Sequence, residues 1–373
     1  MEPHSRNPRE WLRFHKGWRK AGCGITSLEK MKSKVVPAPA AVKPGKDDIN
    51  WLNIGLMVAA CGAAIAAPFQ VFLCAWAILG PLHYLTEISW LHDRNYFTRP
   101  NIARRWWLGL VLFAVLTIGF AYAANSPTNL AVPIKFELAL IYLVFAAAAV
   151  AIFVRDSLNA VGLFLILSLG LFYFSGFGIY VVAANLLVTI VHVYFFTGAF
   201  ILLGALKSKS WVGILSLAVF AGCAIATMTV AAPYAVPGDR VRQLYTTFEF
   251  LNKELLWITG RPLGAVYAAA GVGVMRLIAF AYLYHYLNWF SKTSIIKWHE
   301  TTRTRAAVIA GVWIGAGLAY LYDYRLGFGI LYIMSMLHVF LEFPLNHQTL
   351  VEIGKTLRSR RLAFGSQRGL SPG

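Results

Sequence analysis

Long stretches of apolar residues recur along the chain, and most of them hold no charged side chain. Each is close to the roughly 20 residues that a helix needs to cross the hydrocarbon core of a bilayer. Hydrophobic residues make up 58% of the chain, charged residues only 13%, and the mean hydropathy is +0.60. Because backbone polar groups must be satisfied inside a bilayer, the sequence predicts an all-α, polytopic transmembrane helical bundle.

Ten membrane spans are predicted from these stretches, with prolines between several of them. Lysine and arginine indicate the orientation, since cytoplasmic loops carry an excess of both. When both termini are placed in the cytoplasm, the cytoplasmic segments hold 27 of the 34 basic residues. The predicted spans are 51–67, 69–91, 106–124, 134–153, 158–174, 177–206, 211–232, 262–290, 306–321 and 327–346.

Three regions follow from this topology. Residues 1–50 form a basic cytoplasmic tail and linker, 51–346 the transmembrane domain, and 347–373 a second basic cytoplasmic tail. We expect the protein in the inner (plasma) membrane of a bacterium. The loop 233–261 has a helical pattern at 239–251, which predicts a lid or interfacial helix, or else a solvated connector. The net charge of +18 does not indicate nucleic-acid binding, because the basic residues lie in short segments beside apolar spans.

Four histidines lie within predicted spans, and every one of those spans is even-numbered. These four helices therefore run in the same direction and carry their histidines in the cytoplasmic half of the membrane. Ionisable side chains there are costly and usually face a bundle interior, so the four imidazoles can converge on one centre. Histidine with carboxylate in a helical bundle is typical of non-haem iron sites. The predicted metal ligands are His83, His192, His285 and His338.

A glutamate follows two of these histidines after four residues, which places both side chains on one face of a helix. The pairs are His83 with Glu87 and His338 with Glu342. The two carboxylates are predicted as the catalytic acidic groups of the site. They could act as metal ligands, or they could accept the second ring N–H of a liganding histidine. His299 and His347, at the predicted cytoplasmic interface, are secondary candidates for metal ligands.

The segments 80–87, 191–195, 284–289 and 337–342 surround the four intramembrane histidines. They resemble, in that order, the histidine motifs of the Brp/Blh family of integral-membrane β-carotene 15,15′-dioxygenases, in which acidic residues follow the first and last histidines. In the third segment, Trp289 stands where the family has a second histidine. The resemblance implies iron bound by the four histidines, O₂ as co-substrate, and an apolar polyene or isoprenoid substrate that enters from the lipid.

The sequence thus predicts a membrane-bound, metal-dependent oxygenase or oxidase. Its expected cofactor is non-haem iron, and its expected partners are the lipid bilayer, O₂, a small lipophilic substrate such as a carotenoid, isoprenoid or lipid, and an unidentified electron donor. Two other functions remain open at this point. A b-type haem electron-transfer protein would also pair histidines from different helices, and a proton-coupled transporter would use histidine and glutamate as a relay.

Overall fold

In the computed structural model the chain is almost entirely helical, and no strand occurs among the residues that it describes. Some predicted features lie outside the described residues, namely the span 106–124, most of the span 158–174, and both chain termini. The predicted location of the termini therefore stays a prediction. The structure describes residues 47–94, 134–153, 178–231, 237–297 and 299–368, with isolated positions between 159 and 173.

Eleven helices are named in chain order among the described residues. They are α1 (Asp48–Ala66), α2 (Pro68–Cys74, Ala75–Leu79 and Gly80–Arg94), α3 (Ile134–Phe153), α4 (Gly178–Leu186, Leu187–Phe196 and Thr197–Ser208), α5 (Trp211–Thr229), α6 (Asp239–Tyr245), α7 (Glu249–Ile258), α8 (Ala269–Ser291), α9 (Thr293–Ile296), α10 (Arg303–Tyr322) and α11 (Tyr324–Arg368). Seven of them, α1, α2, α4, α5, α8, α10 and α11, contain a stretch long and apolar enough to cross a membrane. The predicted helical membrane bundle is therefore confirmed, while the number of ten spans stays a prediction.

Two of the long helices are not wound as α-helices throughout. A π-helical segment, Ala75–Leu79, lies in the middle of α2, and a second one, Leu187–Phe196, lies in α4. A π segment hydrogen-bonds over five residues where an α-helix uses four, and it shifts the following side chains around the helix axis. His83 follows the first segment by four residues, and His192 lies inside the second. The local winding of both helices therefore decides where these two imidazoles point.

Several predicted cytoplasmic segments lie at the same end of the bundle, as contacts between helix ends show. Arg305, at the start of α10, forms an ion pair with Asp93, near the end of α2. Ser210, which caps α5 just after α4 ends, donates a hydrogen bond of 2.5 Å to Asp47, which precedes α1. We call this end of the bundle the basic end. At it, α1, α5 and α10 begin, and α2 and α4 end.

The helix α8 is the most enclosed part of the bundle. Side chains on all sides of it are buried, including Met275, Ile278 and Phe280, none of which is exposed. By contrast, α10 buries only Ala316 among its described side chains. A helix that is apolar all round and enclosed by other helices lies in the interior, whereas an exposed apolar helix in a membrane protein faces lipid. This central position carries His285 into the middle of the bundle.

The helical pattern at 239–251 is confirmed, since α6 and α7 are joined there by a short 3₁₀ segment, Thr246–Phe248. The apolar side of this segment packs on the helical core. The ring of Tyr245 lies 4.9 Å from that of Phe69, and the ring of Phe248 lies 4.8 Å from that of Trp76, measured between centroids. The apolar side of the segment is therefore anchored to the bundle, while residues on its polar side, such as Arg240 and Gln243, are exposed. The choice between a lid, an interfacial helix and a solvated connector stays a prediction.

The last helix, α11, continues without interruption past residue 346, where the predicted transmembrane domain ends. It contains Pro344, which has no N–H to donate to the carbonyl of Phe340. A single helix therefore carries His338 and Glu342 and then continues to the basic end of the bundle.

Candidate metal centre

The four histidines that the sequence singles out meet in the interior of the bundle. They come from α2, α4, α8 and α11, and each is at most 6% exposed. Glu87 and Glu342 are buried beside them. The potential ligand atoms form two groups of three, and within each group all atoms lie within 4.8 Å of one another. One group is His83, His285 and His338, and the other is His192, His338 and Glu342. The structure thus contains a histidine cluster that could hold a metal ion, and His338 belongs to both groups.

The imidazoles approach one another through their Nε2 atoms. His83 Nε2 lies 3.0 Å from His285 Nε2, and His192 Nε2 lies 3.1 Å from His338 Nε2. With metal–nitrogen bonds of about 2.1 Å, two neighbouring ligand nitrogens on one ion are separated by roughly 3.0–3.4 Å. The spacing of each pair therefore fits two ligands of one metal ion, and His338 links the two groups.

The two glutamates approach the cluster in different ways. Glu87 Oε2 lies 3.1 Å from Nε2 of His83, four residues earlier on the same helix. Glu342 Oε2 instead lies 3.4 Å from Nε2 of His192, on a different helix from its predicted partner His338. Both carboxylates face the converging Nε2 atoms and not the Nδ1 atoms. For Glu342, which belongs to one group of potential ligand atoms, this geometry corresponds to the first of the two predicted roles, that of a metal ligand. Among the described residues, Glu87 belongs to neither group and pairs with His83.

Hydrogen bonds fix the tautomers of two histidines. The backbone carbonyl of Ser335 accepts from His338 Nδ1 at 2.5 Å, so Nδ1 carries the proton and Nε2 has a free lone pair. The hydroxyl of Thr197 donates its one proton to the carbonyl of Val193, at 2.9 Å, and lies 2.8 Å from His285 Nδ1. The hydroxyl must therefore accept from Nδ1, which again leaves Nε2 with its lone pair towards the centre.

Several polar atoms of the cluster lack a hydrogen-bond partner or a counter-charge in the part of the chain that the structure describes. Among the described residues, His83 Nδ1, His192 Nδ1 and Glu342 Oε2 have no hydrogen-bond partner, and no lysine or arginine pairs with either glutamate. Buried carboxylates without a positive partner are costly. A bound metal cation would supply the missing positive charge and a bond for each converging lone pair.

Several neighbours of the cluster were not identified from the sequence. The ring of Tyr84 stacks on that of His338, with centroids 4.2 Å apart, and its hydroxyl lies 2.7 Å from that of Tyr286. Gly80 leaves room for this hydroxyl pair, because a Cβ atom there would lie 2.9 Å from the hydroxyl of Tyr84. Thr197 follows His192 by five residues, an interval that indicates no shared face on an ordinary α-helix. No local signal could have shown its contact with α8.

The two secondary candidates lie outside both groups of potential ligands. His347 is buried, but its ring packs 4.5 Å from that of Phe145 and its Nδ1 donates to the carbonyl of Phe343 at 2.7 Å. His299 is exposed after the end of α9. The cluster therefore consists of the four predicted primary histidines and the two glutamates.

A cavity of about 610 Å³ extends from the cluster to the basic end of the bundle. His83, Glu87, His285 and Glu342 line its inner end. Its apolar wall includes Trp90, Phe200, Ile201, Trp289, Ile296 and Leu345. Trp289, which follows His285 by four residues, thus forms part of this wall, and its indole N–H donates to the hydroxyl of Thr86 at 3.0 Å.

No protein-family model, no curated protein and no solved structure matches the chain. The chemistry of the site therefore follows from its own atoms. Imidazole nitrogens combined with carboxylate oxygens suit iron, zinc and manganese. The cavity gives small molecules access to one side of this donor set, which is an arrangement suited to catalysis rather than to a closed structural metal site.

Proposed function

We propose that the protein is an integral-membrane, metal-dependent oxidoreductase, namely an oxygenase or oxidase that uses non-haem iron and O₂ on a small lipophilic substrate. The observation that carries this proposal is the buried cluster of four imidazoles and two carboxylates at the inner end of a largely apolar cavity. A set of histidines and carboxylates with access to a substrate cavity is typical of non-haem iron sites.

The residues of the site would have distinct roles in this function. The four histidines would hold iron, which supplies the redox chemistry with O₂ that amino-acid side chains lack. Glu87 and Glu342 both line the cavity, so they are the groups placed to bind the metal and to exchange a proton with the substrate. The apolar wall, including Trp90 and Trp289, would exclude water and orient the substrate.

Two further observations support the proposal. The segments that resemble the Brp/Blh family carry the histidines that meet in the cluster. Described residues of predicted cytoplasmic segments meet at one end of the bundle, Arg305 with Asp93 and Ser210 with Asp47, and the excess of basic residues in these segments favours the cytoplasm for that end. A bacterial inner membrane, with both termini in the cytoplasm, is the location that we propose.

The two alternatives receive less support. Two axial nitrogens on opposite faces of one haem iron are separated by about two metal–nitrogen bonds, roughly 4 Å. The Nε2 pairs here are 3.0 and 3.1 Å apart, which disfavours haem. A proton-coupled transporter would use the same histidines and glutamates without a metal, so metal content separates it from the proposed oxidoreductase.

The test is the metal content and visible spectrum of the purified protein beside His83→Ala and His338→Ala. We expect about one equivalent or more of iron in the wild type and less than about a tenth in each variant, because each removes a ligand from a group of three. His347→Ala is the matched control, since it removes a buried histidine of α11 outside the cluster.

Three results would contradict the proposal. Retention of metal in both cluster variants would exclude the site, and a sharp Soret band would indicate haem. A wild type without iron that supports proton-dependent flux would indicate the transporter.

A further inference from the structure

The cavity is built from stripes on several helices that descend from the cluster to the basic end. On α8 and at Lys292, the residue that follows its end, the stripe consists of His285, Asn288, Trp289 and Lys292, at intervals of three and four residues. His285 and Lys292 are separated by seven residues, or about 10 Å along the helix axis. On α11 a similar stripe begins at Glu342 and reaches Glu352. The cavity is therefore elongated along the bundle axis, with the cluster at one end and charged side chains at the other.

Between these two ends, the cavity wall that a bound molecule would contact is mainly apolar. Trp90, Phe200 and Leu345 belong to this part. Three asparagines also line the cavity, and two of them, Asn53 and Asn288, have side-chain oxygens that are engaged within the protein. Asn53 Oδ1 accepts from the hydroxyl of Tyr284 at 3.0 Å, and Asn288 Oδ1 lies 3.4 Å from the same hydroxyl. An extended hydrocarbon chain matches this middle part better than a small polar molecule does.

The charges at the mouth of the cavity are predominantly positive. Lys207, Lys292 and Glu352 line it. Glu352 lies 3.0 Å from Lys355 and 3.9 Å from Lys207, measured between the ammonium nitrogens and the carboxylate oxygens. Lys292 is partly buried, and among the described residues no carboxylate lies within ion-pair distance of it. A partly buried ammonium without a counter-charge favours an anion supplied by a ligand.

We propose that the cavity binds an amphiphile with an anionic head group, a long-chain carboxylate or an alkyl phosphate, whose head group pairs with Lys292 and whose chain extends to His83 and His285. The inference rests on the proposed function in one respect, since the inner end of the chain is the part that the metal centre would oxidise. A wholly apolar polyene would leave Lys292 without a partner. The expected substrate class is therefore narrowed from small lipophilic molecules in general to acidic amphiphiles.

The experiment measures head-group selectivity with the full-length protein in nanodiscs of neutral lipid. A diazirine-bearing dodecanoate labels the protein on illumination, and unlabelled dodecanoate, dodecyl phosphate and dodecanol compete with it. We expect dodecanoate or dodecyl phosphate to compete about tenfold or more better than dodecanol, since a hydrogen bond to a charged group contributes this much. The stronger of the two anions identifies the head group. Labelled peptides should come from α4, α8 and α11.

Two lysine variants test the assignment to Lys292. Lys292→Met should reduce the preference for the anion to less than about threefold, whereas Lys292→Arg, which keeps a positive charge, should retain most of it. Lys297→Met is the matched control, because it removes a positive charge five residues further along that does not line the cavity. Equal competition by dodecanol in the wild type, or an unchanged preference in a folded Lys292→Met protein, would overturn the inference. Loss of the preference in Lys292→Arg as complete as in Lys292→Met, or failure of all three compounds to compete in the wild type, would also overturn it.

The same preparations separate this inference from the proposed function. Iron is measured in each of them, and the labelling is repeated after removal of metal with a chelator. Selective binding of the anion by a wild-type protein that holds no iron as purified would refute the oxidoreductase and retain the amphiphile site. Bound iron without head-group selectivity would retain the metal centre and refute the amphiphile site.

Discussion

Thr197 should control the metal affinity of the site, although its own side chain is not a predicted ligand. Its hydroxyl accepts the Nδ1 proton of His285 at 2.8 Å and so keeps the Nε2 lone pair directed at the cluster. Thr197→Val preserves the shape of the side chain but removes the acceptor. The ring proton can then move to Nε2, where it competes with a metal ion for the same lone pair.

The magnitude follows from the burial of this hydrogen bond. A buried donor left without a partner costs about 1–3 kcal/mol, which corresponds to roughly 5–150-fold in a binding constant. Loss of a group that orients a liganding histidine typically costs 10–100-fold in metal affinity. We therefore expect Thr197→Val to weaken iron binding by about 10–100-fold, and Thr197→Ser, which keeps the hydroxyl, to change it by less than about threefold.

The assay is competition for iron between the purified protein and a chromogenic chelator of known affinity. Thr189→Val is the matched control, because Thr189 lies on the same helix and its hydroxyl donates to the carbonyl of Asn185 at 2.6 Å. Iron binding of Thr197→Val equal to that of the wild type would refute the argument. A loss in Thr197→Ser as large as in Thr197→Val would also refute it, since the hydroxyl would then have no specific role.

Three further predictions concern packing and protonation. Gly80→Ala should lower the free energy of unfolding by about 1–3 kcal/mol, because the added Cβ would crowd the hydroxyl of Tyr84. Gly62→Ala is the control, since a Cβ there meets open space, and thermal melting compares the two variants. Burial raises the pKa of Glu254 to about 7, so the folded protein loses stability as the pH rises through this value. Glu254→Gln should therefore raise the melting temperature more at about pH 8 than at about pH 5. Burial lowers the pKa of Lys292 to about 8, so the advantage of dodecanoate over dodecanol in the labelling competition should disappear as the pH rises above about 8.

The convergence of the histidines could be predicted because it depends on topology. Spans that run in the same direction place residues of similar distance from the basic end at similar depth, and burial of costly polar side chains directs them inward. The contact of Thr197 with His285 could not be predicted in this way. It depends on the π-helical winding of Leu187–Phe196, which no residue type in that apolar segment specifies.

The two histidine–glutamate intervals show the same limit within one motif. The interval of four residues correctly predicts the contact between His83 and Glu87, because α2 is an ordinary α-helix from Gly80 onward. It does not predict the contact of Glu342 with His192, since this contact depends on how α11 packs against α4. Spacing identifies residues on one helical face, and only packing determines which neighbour that face meets.

The π segment in α4 also bears on how such a site can arise in evolution. A π turn accommodates one residue more than an α turn, so deletion of a single residue from Leu187–Phe196 would convert one π turn to α-helical winding. The side chains on one side of the deletion would then turn by about 100° relative to those on the other. His192 and Thr197 would no longer both face the cluster. One insertion or deletion in an apolar stretch, without any change of a polar residue, is therefore enough to create or abolish this arrangement.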